Sequence, residues 1–381
     1  MNTRLRLYTL SLVGTLAATS ALALPQKPTL VYIGCSQGIY LSRFEPNTGN
    51  LSTPELAAQA PNASFLALDK KGQYLYAVGE LETFANKKTG SIRSFRIEGP
   101  SGKLLLLNEE VSNGTGPCHL ALDASGRCVL VANYSSGSIA ALPIQKDGSL
   151  GPPRATIQHR GSSTNPSRQT EPHAHFITAD PANRFVLACD LGLDKVLVYR
   201  FDPLKLSLTE NDPPSLALTP GAGPRHLVFH PNGRFVYVIN EMGSSLAVCT
   251  YDSKHGVLNT VQTMSTLPPS FKGDNTCAEV QVHPSGKFLY ASNRGHDSLA
   301  VFAIDHKTGK LTGIGHEPTQ GRTPRHFALD PTGAWLLAEN QDSNTIVVFH
   351  VNTDTGKLAA TGKTIEVGSP GCVVFAPISS F

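Results

Sequence analysis

The chain has 381 residues and a formal net charge of +3, with lysine and arginine scattered along it rather than clustered. So weak and dispersed a positive charge excludes nucleic acid as the partner. Seven cysteines, an odd number without CxxC spacing, argue against a disulfide framework or a zinc site, and a core of this size needs neither staple.

At the start, Arg4 and Arg6 precede an apolar run from Leu7 to Leu22 that ends Ala21-Leu22-Ala23. This is the layout of a secretory signal peptide, residues 1–23, cut after Ala23. The run is short for a membrane span and diluted by Ser, Thr and Gly. Residues 24–381 are read as one exported domain, periplasmic or secreted, off the membrane after cleavage and monomeric. Gly and Pro are plentiful and no helix-period stretch stands out, so the class is all-β.

One unit then recurs. Asn62–Val78 (NASFLALDKKGQYLYAV) is followed by Pro117–Asn133, Pro172–Asp190, Pro224–Asn240, Cys277–Asn293 and Pro324–Asn340. Each reads as strand, turn, strand. The turns carry Gly72, Gly126, Asn183, Gly233, Gly286 and Gly333, roughly 50 residues apart, the spacing of propeller blades. A third strand such as Ser298–Ile304 follows, then a turn such as Asp305–Leu311 and an outer strand. Six copies leave two fragments: a lone inner strand at Gly371–Pro377, and the three strands Leu30–Gly34, Ile39–Phe44 and Leu51 onward. They complete each other, which an open array or a pair of sandwiches would not explain. The expected fold is a seven-bladed β-propeller of four-stranded blades, its ring closed by pairing of the N- and C-terminal strands.

The first two strands of a blade are antiparallel, so the residues before the first and after the second share one end of the ring. Before the first strands stand Cys118-His119, His173 with His175, Arg225-His226, Cys277 with Glu279, Arg325-His326, and Cys372. After the second stand Asn133-Tyr134, Asp190, Asn240-Glu241, Asn293-Arg294 and Asn340. A concave mouth with convergent charged groups is the expected site. His119, His226 and His326 recur at one register and are read as structural, each holding a neighbouring blade's backbone. His230 and His283 belong to the far turns. His175 breaks the repeat, after a polar insertion, Gln158–Thr170, read as a lid or rim. Arg225, Arg294 and Arg325 suit a carboxylate or phosphate, and Glu241 is placed to pair with one of them. Such a mouth repels cations, so no metal or other cofactor is expected. Cys35 and Cys372 could face each other and tie the ring in an oxidising compartment.

The segments GPRHLVFHPNGRFVYVINE, PHAH and SNRGHDSLAVF resemble the lactonase family of seven-bladed propellers, which holds the propeller-type bacterial 6-phosphogluconolactonases and the fungal carboxymuconate lactonizing enzyme. The resemblance spans nearly the whole mature chain. It implies a His, an Arg, a Glu and a second Arg at the channel mouth, here His175, Arg225, Glu241 and Arg294, and an acid at Glu279. The implied activity is opening of a sugar or related acidic lactone by water. Either His175 or Glu241 would serve as general base, one arginine would steady the oxyanion, and the other would hold the substrate anion. His173, Glu279, Arg325, Asn293 and Asn340 would line the substrate. The alternatives are a muconate-type cycloisomerase and a non-catalytic exported binding propeller.

Overall fold

The computed structural model describes residues 28–376; the segment read as a signal peptide, residues 1–23, lies outside them. Seven antiparallel sheets form the blades. We number them from the N-terminus, blade 1 being the one that unites both chain ends. Its innermost strand, Pro370–Ala376, pairs with Thr29–Cys35 in the register Leu30↔Ala376, Ile33↔Val373, Gly34↔Cys372. The ring therefore closes as the two sequence fragments required. The outer edge of blade 1 is less regular than expected, broken into Asn50–Leu51 and Glu55–Gln59.

Strand periodicity explains how the blades stack. In Phe235–Asn240 of blade 5, Phe235, Tyr237 and Ile239 pack against Cys277, Val280 and Leu289 of blade 6. The intervening Val236 and Val238 pack against Phe185, Leu187 and Cys189 of blade 4. Both faces of the strand are apolar because both are covered. The core is thus seven thin layers between blades rather than one centre. Tyrosines on second strands add a polar stitch: Tyr237 donates to Gly309 O at 3.0 Å and Tyr290 to Gly356 O at 2.8 Å, each reaching the next blade's outer turn.

All seven cysteines are free and buried. The Cys35–Cys372 bond fails on strand parity. Cys372 stands opposite Gly34 and packs in the layer between blades 1 and 2, while Cys35, one residue on, packs in the layer between blades 7 and 1. Successive side chains leave a strand on opposite faces, so the two thiols are separated by the sheet itself.

Candidate active site at the channel mouth

Six of the seven inner strands carry a register shift one or two residues after they start, between Pro224 and His226 in blade 5 and at equivalent places in the others. A bulge leaves a residue unpaired and re-aims it. Around the ring the unpaired residues are Cys118, His175, Arg225, Ala278, Arg325 and Gly371, with Ser64 the equivalent in blade 2. The next residue inward gives a second tier: Phe65, His119, Phe176, His226, Glu279, His326 and Cys372. A third tier comes from the residue after each second strand: Ser36, Glu80, Tyr134, Leu191, Glu241, Arg294 and Gln341. His175 thus shares its register with Arg225 and Arg325, not with the three histidines.

The first and third tiers build a charged centre over blades 4 to 6. One oxygen of buried Glu241 lies 3.1 Å from Arg225 Nε and 3.0 Å from Arg294 Nη2; the other accepts from Arg168 Nη2 at 2.9 Å. Burial alone would raise the Glu241 carboxyl, but Arg294, Arg225 and Arg168 overcome it and hold the group below the usual carboxylate range. Arg225 is itself anchored through Nη1, which donates to Ala278 O at 2.7 Å and to His226 Nε2 at 3.2 Å. Burial and the neighbouring Arg294 and Arg325 bring its pKa down to about 10. Arg294 donates to Cys277 O at 2.9 Å.

Two of the three structural histidines do more than grip backbone. His119 accepts the Ile177 amide of blade 4 at 3.3 Å, as expected. His226 instead donates from Nδ1 to Glu279 of blade 6 at 2.8 Å, because blade 6 puts Glu279 where blades 3, 5 and 7 put histidine. His326 lies 3.4 Å from the Val373 amide but also stands between Glu279 at 3.6 Å and Glu339 at 3.2 Å. Burial opposes its charge, yet Glu339 and Glu279 raise its pKa; burial in turn raises both carboxyls. His119 sits 4.1 Å, ring to ring, from both Phe65 and Phe176.

His175 is buried beside them. Its Nδ1 is 3.8 Å from Cys118 Sγ, and Nε2 makes no hydrogen bond to the described residues. Burial, then the charges of Arg225 and Arg325, hold its pKa well below the ordinary histidine value. His175 is a neutral imidazole at pH 7, with a lone pair to offer.

Other expected site residues fare differently. His173 stacks on Tyr134 at 4.5 Å and bonds its carbonyl at 3.1 Å, so it positions that ring. Arg325, 3.9 Å from Glu80, lines a cavity of about 330 Å³ over blades 7, 1, 2 and 3, together with Ser36, Asn62, Glu82 and Gln341. Asn293 and Asn340 are a correction. Both are fully buried, and their amides donate back to Thr266 O and Thr319 O at 2.9 Å, clasping the preceding loop instead of opening to the mouth.

Sequence reasoning missed Arg168, although it lies inside the insertion marked as a lid or rim. The insertion is pinned: His159 bonds Asp190 at 2.6 Å and buried Gln169 donates to Leu191 O at 2.8 Å. It is a rim. Glu80 and Gln341 were also missed; both are the register mates of Glu241 and Arg294, which was the available signal.

A closed ring whose polar side chains gather from many blades at one mouth defines a propeller built around a small-molecule site. Residues 18–375 match the family described as Lactonase, 7-bladed beta-propeller. The chain is 35% identical over 297 residues to the 6-phosphogluconolactonase of Bacillus subtilis, covering 78% of this chain and 82% of that one. It is 36% identical over 299 residues to the 6-phosphogluconolactonase of Formosa agariphila, covering 77% and 82%. The periplasmic gluconolactonase of Pseudomonas aeruginosa superposes with a TM-score of 0.88 at 32% identity, covering 92% of this chain and all of that one. The chain belongs to the lactonase family of seven-bladed β-propellers and, with it, to the lactone hydrolases.

Proposed function

We propose that the protein opens a sugar or related acidic lactone with water activated by His175, and that it does so after export. The carrying observation is buried His175 in the same bulge register as Arg225, whose guanidinium pairs with Glu241. Glu241 is the poorer base, since its two oxygens are engaged by three guanidiniums. In this reading His175 Nε2 takes a proton from water and the resulting hydroxide attacks the lactone carbonyl carbon. Arg294 or Arg225 steadies the charge that forms on the carbonyl oxygen. The ring C–O bond then breaks, and the proton on His175 passes to the departing ring oxygen, leaving a hydroxy acid whose carboxyl releases the second water proton to solvent. Glu241 keeps the arginines oriented. The cavity beside Arg325 and Glu80 offers hydroxyl and carboxylate partners to the sugar's hydroxyl groups.

The test is acid release in a pH-stat with plain and phosphorylated sugar lactones, alongside a muconate-type diacid. Lactone opening supports the reading; ring closure of the diacid alone would replace it with a cycloisomerase, and silence on all three with a binding propeller. Mass measurement of the protein recovered from the cell exterior or periplasm tests the export half: a mature chain starting at Leu24 is expected.

A further inference from the structure

Arg168 differs from every other cation of the charged centre. Arg225 and Arg294 spring from the blades, with side chains 3% and 15% exposed, whereas Arg168 is carried in by the rim segment and its side chain is 39% exposed. Its two described hydrogen bonds, to Tyr134 Oη and Glu241 at 2.9 Å each, both leave from Nη2. The rest of the guanidinium, Nε and Nη1, has no partner among the described residues. The segment behind it does not swing. Asn165 caps the Ser167 and Arg168 amides at 3.0 and 3.1 Å, Gln169 returns 3.0 Å to the Asn165 amide, and Ser163 bonds Asp194 at 2.6 Å. Arg168 is therefore carried on a pinned rim, with Nε and Nη1 unengaged among the described residues.

Charge points the same way. Three guanidiniums share the Glu241 carboxylate, and Glu279 is the one further acid acting on Arg225, so guanidiniums outnumber carboxylates at the centre. A buried excess of that kind attracts an anion, and a phosphate monoester brings roughly −1.5 to −2 charges at pH 7. Arg225 and Arg294 are committed to backbone carbonyls as well as to Glu241; Arg168 holds no backbone carbonyl and is the most exposed of the three.

We propose that Arg168 is the specificity-determining residue of the site, binding the anionic group at the non-reacting end of the lactone and so separating phosphorylated from plain substrates. The inference rests on the lactonase reading above and deepens it. A planar fork is needed for two parallel bonds to a phosphate, which lysine cannot supply.

The experiment measures kcat/KM for D-glucono-delta-lactone and its phosphorylated counterpart with the wild type, R168Q and R168K. The wild type should favour the phosphorylated lactone. R168Q should lower the phosphorylated-to-plain ratio by roughly 10- to 100-fold, the loss of hydrogen bonds to a charged group, mainly through KM, and R168K should fall between. Binding of the phosphorylated aldonate product against the plain one reads the same contrast without turnover. An R168Q variant that loses both substrates equally would make Arg168 a mere clamp on Glu241 and overturn the proposal. So would a wild type that opens plain lactone and gains nothing from the phosphate. A wild type that opens neither lactone refutes the lactonase reading itself.

Discussion

Histidine occupies both ends of this ring and does different work at each. At the far end, His230 donates to Gly286 O of blade 6 at 2.9 Å and accepts the Asn232 amide at 3.1 Å; His283 donates to Gly333 O of blade 7 at 3.0 Å and accepts the Ser285 amide at 3.1 Å. Both nitrogens of each ring are spent. The glycines they meet have φ of 72° and 76°, and a Cβ there would lie 2.9 and 2.4 Å from the imidazole. Ring and glycine fit as a pair. At the mouth, by contrast, His175 keeps a nitrogen unengaged, His226 is wedged between an arginine and an acid, and positive charge exceeds negative. One end of the ring has settled its polar accounts; the other holds an imbalance that a reacting anion can complete.

The comparison is broken most sharply by activity. His175→Ala should cut kcat/KM by roughly 10²–10⁴-fold, the worth of a positioned general base, with the thermal midpoint nearly unmoved. A rate within about twofold of wild type would remove His175 from the mechanism. Glu241→Gln tests the charge imbalance. It removes the carboxylate that three arginines share, so stability should fall by about 3 kcal/mol or more in denaturant titration, with most activity lost; an unaltered midpoint would show that the guanidiniums find other partners.

His283→Ala sharpens the other side. It should cost roughly 1–3 kcal/mol, the range for stranding a buried acceptor, while lactone turnover at a temperature well below melting stays at wild-type level. A large loss of turnover in a folded protein would erase the distinction between the two ends.

The smallest effects are in pH dependence. Because the folded His175 titrates below its ordinary value, kcat/KM should stay level through pH 6.5 and fall only in more acid solution; an acid limb centred at about 6.5 would point to an unburied base. Stability should decline along the same interval. His119, His175 and His226 have depressed folded pKa values, so their contribution is complete above about 6.5 and erodes as pH falls. His326 runs the opposite way, full below that value and lost as pH rises through its raised folded pKa. Thermal melts across this range in the wild type and in His119→Gln, which should show the shallower acid decline, check the balance.

Much of this was readable in the chain. The far turns declared themselves because Pro, Asn and Gly recur wherever a tight turn needs them, and the closing blade because its two fragments fit together. His175, Arg225, Glu241 and Arg294 could be picked out since each is a polar residue at a repeating boundary, where the unit fixes direction. Asn293 and Asn340 stood at the same boundary yet face inward, and only the preceding loop's carbonyls reveal why. The bulge was invisible too, although the register it acts on was not: His175 and Arg225 each stand six residues before the proline of the far turn, Pro181 and Pro231. Arg168 belongs to no repeat, so no register could point to it. The cysteine pair was misjudged by one step of pleat, enough to place two thiols on opposite sides of a sheet.

The seam in blade 1 bears on how the molecule comes into being. Synthesis proceeds from first strand to last, yet the innermost place of the first blade belongs to Pro370–Ala376, made after all the strands of the other blades. Until that strand docks, Thr29–Cys35 has a bare inner edge and the chain is an unlatched arc. The whole circle, and with it the alignment of mouth residues from blades 4 to 6, is finished by the final stitch.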